Sequence, residues 1–334
     1  MIGDSAYPIG DPDALLRNGN VEQFPIRRQG PAASSPLKVY GLREFTQLIL
    51  PKRQHVLTPI LPEKGLAMLY AKRGVGKTHV ALGIAYAVAS GGQFLRWQAS
   101  QPRNVLYVDG EMPARLLQER LDAILAGADK VPPDFDQSFR LLAMDTQDIG
   151  LSLNLANPSD QQRLDGMLGA TDFLILDNLS TLVHGGREND AESWDAMQAW
   201  LLQLRRRGIS VLLVHHAGRS DNARGTSKRE DVLDTVIHLK RPDDYEAEEG
   251  ARFEVHLTKA RGVHGDDASP FEARLTMNGD AATWSVKALQ DVEADRVAEL
   301  TKAGSSVRDI EKETGLSKSK VNRIQNRLKA EGRL

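Results

Sequence analysis

The chain contains no cysteine. That absence excludes disulfides and thiolate metal sites, and it suits a reducing cytoplasm. No stretch approaches the roughly 20 consecutive apolar residues that a membrane helix needs. The opening run MIGDSAYPIGDPDALL lacks the basic-then-apolar layout of a secretory signal. Net charge is missing too. With 43 basic and 45 acidic residues the balance is −2, so any surface for nucleic acid has to be local rather than global. These absences predict a soluble cytoplasmic protein with no membrane partner.

What is present is an ordinary globular composition, 41% hydrophobic and 26% charged, over 334 residues. That length supports one sizeable core and a small satellite domain. Residues 1–36 are rich in Pro, Gly and Ser with few periodic apolar positions, and read as a flexible arm. Segment 38–50, KVYGLREFTQLIL, predicts a short helix ahead of Pro51. From Gly65 the rhythm is α/β. Apolar runs at 66–70, 104–108, 139–143, 173–176 and 209–214 predict strands, and helices are expected after the first two. A long amphipathic helix carrying Trp194, Met197, Trp200, Leu201 and Leu204 separates the last pair. Runs at 235–239, 253–258, 271–277 and 283–286 follow with no helix between them. The expected core, residues 37–290, is therefore a mostly parallel sheet flanked by helices and extended by antiparallel strands. Short amphipathic helices fill 291–334, a second, all-α domain.

The run Ala71-Lys72-Arg73-Gly74-Val75-Gly76-Lys77-Thr78 fits the phosphate-loop pattern GxxxxGK[ST] except that Ala71 stands in its first position. Small residues let successive backbone N–H groups of Arg73, Gly74, Val75, Gly76, Lys77, Thr78 and His79 curl around phosphate. Lys77 would reach the β- and γ-phosphates of ATP, and Thr78 would offer its hydroxyl to Mg²⁺ at the positive end of a helix. The bland alternative, a chance Gly-rich turn, lacks the strand before and the helix after. Asp177 closes the buried run Phe173–Leu176 and is the expected second holder of the Mg²⁺ shell. Glu111 follows the 104–108 run and is the expected general base that polarises water; its plain alternative is a surface Glu or helix cap. His215 and His216 adjoin at a strand end, so they point to opposite faces and do not share a metal. One of them, with His216 preferred, would sense the γ-phosphate.

A Glu just past the second strand, with Asn178 rather than Glu after Asp177, resembles the RecA- and DnaB-like ATPases. The runs LILDNLSTLVHGGREND, LLVHHAGR, RGTSKREDVLDTVIHL and LTKARG resemble the RepA-type replicative helicases of plasmids and other mobile elements, over about residues 60–290. The resemblance implies a RecA-like core and a homo-oligomer, a hexameric ring with ATP between subunits. It also implies that Lys259 and Arg261 act as fingers on a neighbour's γ-phosphate, where the alternative is two solvated strand-end charges.

Two segments are candidates for DNA. Residues 218–230 follow the histidine strand and carry Arg219, Arg224, Lys228 and Arg229 on a polar, glycine-bearing stretch suited to a phosphate backbone. A plain solvated loop is the alternative there. In the C-terminal domain the spacing is that of a helix-turn-helix. Val307 and Ile310 face inward, Gly315 turns, Ser317 caps, and Val321, Ile324 and Leu328 form a buried stripe. Lys318, Lys320, Asn322, Arg323 and Arg327 are its outward-facing DNA candidates. Glu311 stands where such a motif usually has a small residue, which argues against tight packing there. The rival reading is a protein-docking domain. Together these features predict an ATP-driven helicase or translocase. The alternatives are a DNA-dependent ATPase that forms filaments or loads other proteins, and a regulator whose DNA binding ATP controls.

Overall fold

The computed structural model describes residues 37–128, 131–132, 135–184, 191–218 and 230–334, those at 191–193 by their backbone alone. They fall into two units, divided between Arg53 and Gln54. The first holds one short helix, α1 (Leu42–Thr46), whose Glu44 carboxylate accepts the Gly41 N–H at 3.3 Å. The predicted helix over 38–50 is thus cut to one turn. Leu50 precedes a proline, which disfavours helical backbone, and the Gln47 N–H already closes the turn on Arg43 and Glu44.

The second unit opens with a small antiparallel pair, β1 (His55–Leu57) and β2 (Leu61–Pro62). Then comes β3 (Leu66–Ala71), buried along its whole length, and α2 (Lys77–Ser90). A second small pair, β4 (Gln93–Phe94) and β5 (Trp97–Gln98), precedes β6 (Val105–Asp109), α3 (Ala114–Ala126), α4 (Phe135–Ser138) and β7 (Phe139–Ala143). The chain continues through α5 (Pro158–Leu168), β8 (Phe173–Asp177), α6 (Leu179–Leu182), α7 (Ala191–Arg206), β9 (Ser210–His216) and β10 (Thr235–Lys240). A meander of β11 (Arg252–Ala260), β12 (Phe271–Asn278) and β13 (Ala281–Ala288) completes the sheet. Three helices end the chain: α8 (Leu289–Lys302), α9 (Val307–Thr314) and α10 (Lys318–Ala330).

Nine strands lie in the order β13-β12-β11-β10-β3-β9-β8-β6-β7. From β10 to β7 they are parallel, and β11, β12 and β13 pair antiparallel beyond them. This is the mostly parallel, helix-flanked sheet with an antiparallel extension expected of a RecA-like core. Continuous apolar runs such as LAMLYA in β3 and FLIL in β8 suit strands covered on both faces. One face packs Leu69, Tyr107, Ile175 and Val214 against Val80, Ile84 and Val88 of α2. The other packs Met68, Leu174, Leu176 and Leu213 against Leu164 and Leu168 of α5 and Trp194, Met197, Trp200, Leu201 and Leu204 of α7.

α2 is apolar or small nearly all round, as a helix buried on several sides must be. Tyr86 on its outer face meets the Phe135 ring of α4 at 5.1 Å. At Gly83 a Cβ would lie 2.1 Å from the Phe94 ring, so only glycine admits this approach. Among the described residues no helix is long and apolar enough to cross a membrane.

The C-terminal helices have a core of their own, built by Ala294, Val297, Leu300, Ile310, Val321, Ile324 and Leu328. α8 follows directly on β13 with no intervening linker. Gly315 adopts the left-handed conformation (φ 68°) between α9 and α10, and the Ser317 hydroxyl accepts the Lys320 N–H at 3.4 Å. Glu311 is half-buried and pairs with Lys318 at 3.5 Å.

Candidate active site

β3 delivers the chain into the loop 72–76, and α2 starts at Lys77. Gly74 (φ 76°) and Gly76 (φ 123°) hold backbone angles that other residues rarely adopt. Positive φ at both glycines gives the loop the curl that a phosphate cradle needs, directly ahead of a helix N-terminus. A Cβ at Gly76 would lie 3.1 Å from Phe253, which closes the loop from behind. Lys77 is buried, and its ammonium donates to the carbonyls of Ala71 (3.2 Å) and Lys72 (3.0 Å). Burial pulls it down to about 8, against the opposing fields of Asp177 and Glu111. The Ala71 departure does not disturb the curl, because this residue ends β3 and contributes only a carbonyl.

The cleft beside this loop measures about 590 Å³, within the range of small-molecule sites. Arg73, Gly74, Gly76, Lys77, Thr78, His79, Glu111, Asp177 and His216 all line it, so sequence reasoning had gathered one site from four separate segments. Val75 is buried beneath the loop. Burial, then the charge of Arg120, pulls the His79 imidazole down to about 4, so it is neutral.

Parallel pairing sets Asp109 of β6 directly beside Asp177 of β8. Asp177 is buried and accepts hydrogen bonds from Tyr107 Oη at 2.6 Å and from the Thr78 hydroxyl. Burial raises its pKa, and those two donors together with Lys77 oppose the rise. Asp109 Oδ1 accepts the N–H groups of Glu111 (3.1 Å) and Met112 (2.7 Å) and so shapes the turn that presents Glu111. Burial raises Asp109 to about 6, opposed by the Met112 N–H.

Glu111 is half-exposed to the cleft. Its carboxylate accepts from Asn178 Nδ2 and lies 3.4 Å from His216 Nε2. Asn178 also caps α6 by accepting the Ser180 N–H at 2.9 Å, which fixes the side chain that holds Glu111. Burial, then the charge of Lys77, lowers the His216 pKa and keeps the ring neutral. His215 lies one residue away on the opposite face, in register with Tyr70, and does not line the cleft.

Thr78 and Asp177 are the two residues that could hold Mg²⁺. A hydroxyl and a carboxylate already in mutual contact beside a phosphate cradle are the oxygen donors this ion takes, the phosphates supplying the rest. The donor set therefore fits.

Sequence reasoning missed several residues. Asp109, Tyr107 and Asn178 matter only because β6 and β8 are neighbours in a fixed register, which no local pattern states. A further part of the cleft lining was missed as well. It is formed by the segment between β10 and β11, with Tyr245, Gly250 and Ala251 lining the cleft. The signal available was only an aromatic in an acidic, proline-bearing loop, RPDDYEAEEG.

Lys259 and Arg261 are not in this cleft. β11 pairs Ala260 with Thr235, and Thr235 pairs with Ala67 near the start of β3, so both cations lie at the sheet edge opposite their own phosphate loop. Lys259 Nζ donates to the Glu230 carbonyl and Arg261 Nη2 to that of Asp231 at 2.9 Å. Arg219, Arg224, Lys228 and Arg229 lie outside the described residues. On α10, Lys318 pairs with Glu311 and Lys320 with Glu293 at 2.6 Å. Arg327 reaches the Gln290 carbonyl at 3.4 Å and Glu331 at 3.6 Å. Asn322 and Arg323 are exposed with Ser319 and Asn326 on the outer face, and among the described residues no ion pair holds Arg323.

Comparison with solved structures gives a KaiC-like protein from the hyperthermophilic archaeon Pyrococcus horikoshii OT3, at 15% identity and a TM-score of 0.46. The alignment covers 66% of this chain and 90% of that one. The flagellar accessory protein FlaH from Methanocaldococcus jannaschii aligns at 10% identity and a TM-score of 0.47, covering 67% and 90%. No curated protein matches. A family model described as an AAA domain, AAA_25, matches residues 37–222. That span is more than half of the chain and includes the phosphate loop, Glu111, Asp177 and His216, and so this protein belongs to the AAA_25 family of P-loop ATPases.

Proposed function

We propose that the protein is a ring-forming, ATP-hydrolysing DNA helicase or translocase of the RepA type, working in the cytoplasm of a cell that carries a plasmid, phage or other mobile element. The observation that carries the catalytic half is Glu111. Its carboxylate is fixed by Asn178 and faced by neutral His216, beside the phosphate cradle, rather than following Asp177 along the chain.

The chemistry follows from the residues present. The N–H groups of 73–79 and the Lys77 ammonium bind the triphosphate, with its γ end toward Glu111 and its base end toward Tyr245. Glu111 accepts the proton of the attacking water, and Asn178 and His216 keep its carboxylate aimed. Thr78 and Asp177 would hold Mg²⁺, which supplies charge neutralisation at the phosphates when bound. Lys259 and Arg261, at the far sheet edge, cannot reach their own chain's cleft. A role on phosphate therefore requires a neighbour, and that requirement supports a head-to-tail homo-oligomer, with a hexamer as the expected closure.

A second reading, an ATP-controlled DNA-binding regulator, is favoured by the outer face of α10, where Asn322, Arg323 and Asn326 stand exposed. ATP turnover by wild type and Glu111→Gln, with and without single-stranded DNA, separates the two when run beside light scattering. The motor reading expects a particle near six subunits and DNA-stimulated turnover that falls about 10²-fold or more in the variant. Turnover indifferent to DNA, or no defined ring, leaves the regulator or a filament-forming ATPase.

A further inference from the structure

The segment 241–250 touches two places at once. At its start, Arg241 Nη2 donates to the Gly74 carbonyl of the phosphate loop at 3.0 Å, and its guanidinium lies 4.4 Å over the Tyr245 ring. Tyr245 in turn lines the nucleotide cleft and anchors its hydroxyl on the Gly250 carbonyl at 2.9 Å. Between these points the segment bends toward the C-terminal helices. The Asp243 carboxylate lies 3.9 Å from where a Cβ would stand on Gly315, the turn residue between α9 and α10. Arg296 of α8, paired with Glu299 and with Glu313 of α9, also sits in the field of Asp244.

The back of the segment is fixed. Arg252 is buried and binds Glu249 at 2.9 Å, Glu272 at 2.9 Å and Asp244 at 3.1 Å. A short strap is thus tied at its base to β12, holds the phosphate loop through Arg241, and brings Asp243, whose other carboxylate oxygen lies 4.0 Å from Lys240 Nζ, to the turn between α9 and α10.

Resting on the readings of cleft and C-terminal helices given above, we propose that residues 241–250 couple nucleotide occupancy to the DNA affinity of α8–α10. The sign follows from charge. Asp243 stands beside the turn that leads into α10, where the helix N-terminus and Lys318 favour an anion such as a DNA phosphate. The carboxylate competes for that position. A triphosphate settling on the phosphate loop acts on Gly74, whose carbonyl holds Arg241, so occupancy shifts the strap and withdraws Asp243. Nucleotide therefore strengthens DNA binding, and by linkage DNA strengthens nucleotide binding by the same factor.

The test uses the full chain with Mg²⁺ and a slowly hydrolysed ATP analogue. Hydrogen exchange at residues 313–320 is measured first, with no DNA present. Duplex affinity is then measured with and without nucleotide. Wild type is expected to change exchange at 313–320 on nucleotide addition and to bind duplex about 5-fold or more tightly with nucleotide. Asp243→Ala is expected to bind DNA tightly without nucleotide and to bring that ratio near one. Glu248→Ala removes the same charge from an exposed point on the same strap and is expected to keep the wild-type ratio. Exchange that ignores nucleotide, or equal ratios in wild type and Asp243→Ala, overturns the coupling. Exchange that responds while no DNA is bound in any state overturns the DNA half of the proposed function and this proposal's DNA arm with it. That result is distinct from independent binding of both ligands, which overturns the coupling alone.

Discussion

At the scale of single residues, the site divides into groups that touch substrate and groups that aim them. On the proposed function Lys77, Thr78, Asp177 and Glu111 would be of the first kind, and all four line the cleft and follow from motif and strand position. Asn178 belongs to the second. Its amide donates to Glu111 while its oxygen caps α6, so one side chain ties the proposed general base to the end of β8. Asn178→Ala is expected to lower kcat for ATP by about 10-fold, in line with loss of an aiming contact, and to leave KM within about 2-fold. Steady-state turnover with ATP titrated across its KM checks it. A matched rise in KM with kcat intact would instead assign Asn178 to substrate binding. The sequence made the first kind of residue readable because phosphate binding needs small residues, a lysine and a hydroxyl at fixed spacing. It left Asn178, Asp109 and Tyr107 unread, since each acquires its role from a partner 67 to 70 residues away or from a turn that only the sheet register creates.

At the scale of elements, apolar runs located the strands because β3, β6, β8 and β9 are covered on both faces, and a run of that kind leaves few alternatives. The helix expected within 38–50 is confined to Leu42–Thr46, because its apolar spacing does not mark the turn at Gln47 that ends it. Also unread was the polar face of the antiparallel extension. There Glu254 accepts from His256 at 2.8 Å and pairs with Lys240 at 3.7 Å, and Glu249 binds Arg252. Burial works against the charged form of Glu254 and is outweighed by His256 and Lys240. Burial of Glu249 is likewise outweighed by the Glu246 N–H and Arg252, so both pKa values lie below 4.5. A carboxylate lowered on folding adds stability above its unfolded pKa and loses it as pH falls through the folded value. The stability that Glu254 and Glu249 contribute is therefore expected to be lost as pH falls below the usual carboxylate range, and Glu254→Gln to remove its share of that loss. Chemical denaturation at a series of pH values reads it; an identical slope in the variant would remove Glu254 from the account.

At the scale of the whole molecule, the arrangement separates cleft from cation pair. Glu111 lies at the C-terminal edge of the parallel strands, and Lys259 and Arg261 at the opposite edge. A single chain cannot bring them together without unfolding the sheet between. If the cations act on phosphate, each site is composite, and two defects placed on different chains must complement. Glu111→Gln leaves a subunit able to lend Arg261 but unable to hydrolyse; Arg261→Ala leaves the reverse. Each variant alone is expected to be nearly inactive. Mixed in equal amounts and allowed to exchange subunits, one interface in four joins an intact Glu111 to an intact Arg261, so basal turnover should recover to about a quarter of wild type. The same mixture made with Lys77→Ala and Glu111→Gln should not recover, because both defects then fall on the same side of every interface. Recovery in the first mixture only would establish the composite site. Full activity of Arg261→Ala on its own would make the cation an ordinary strand-end charge, and the ring would lose its main structural argument.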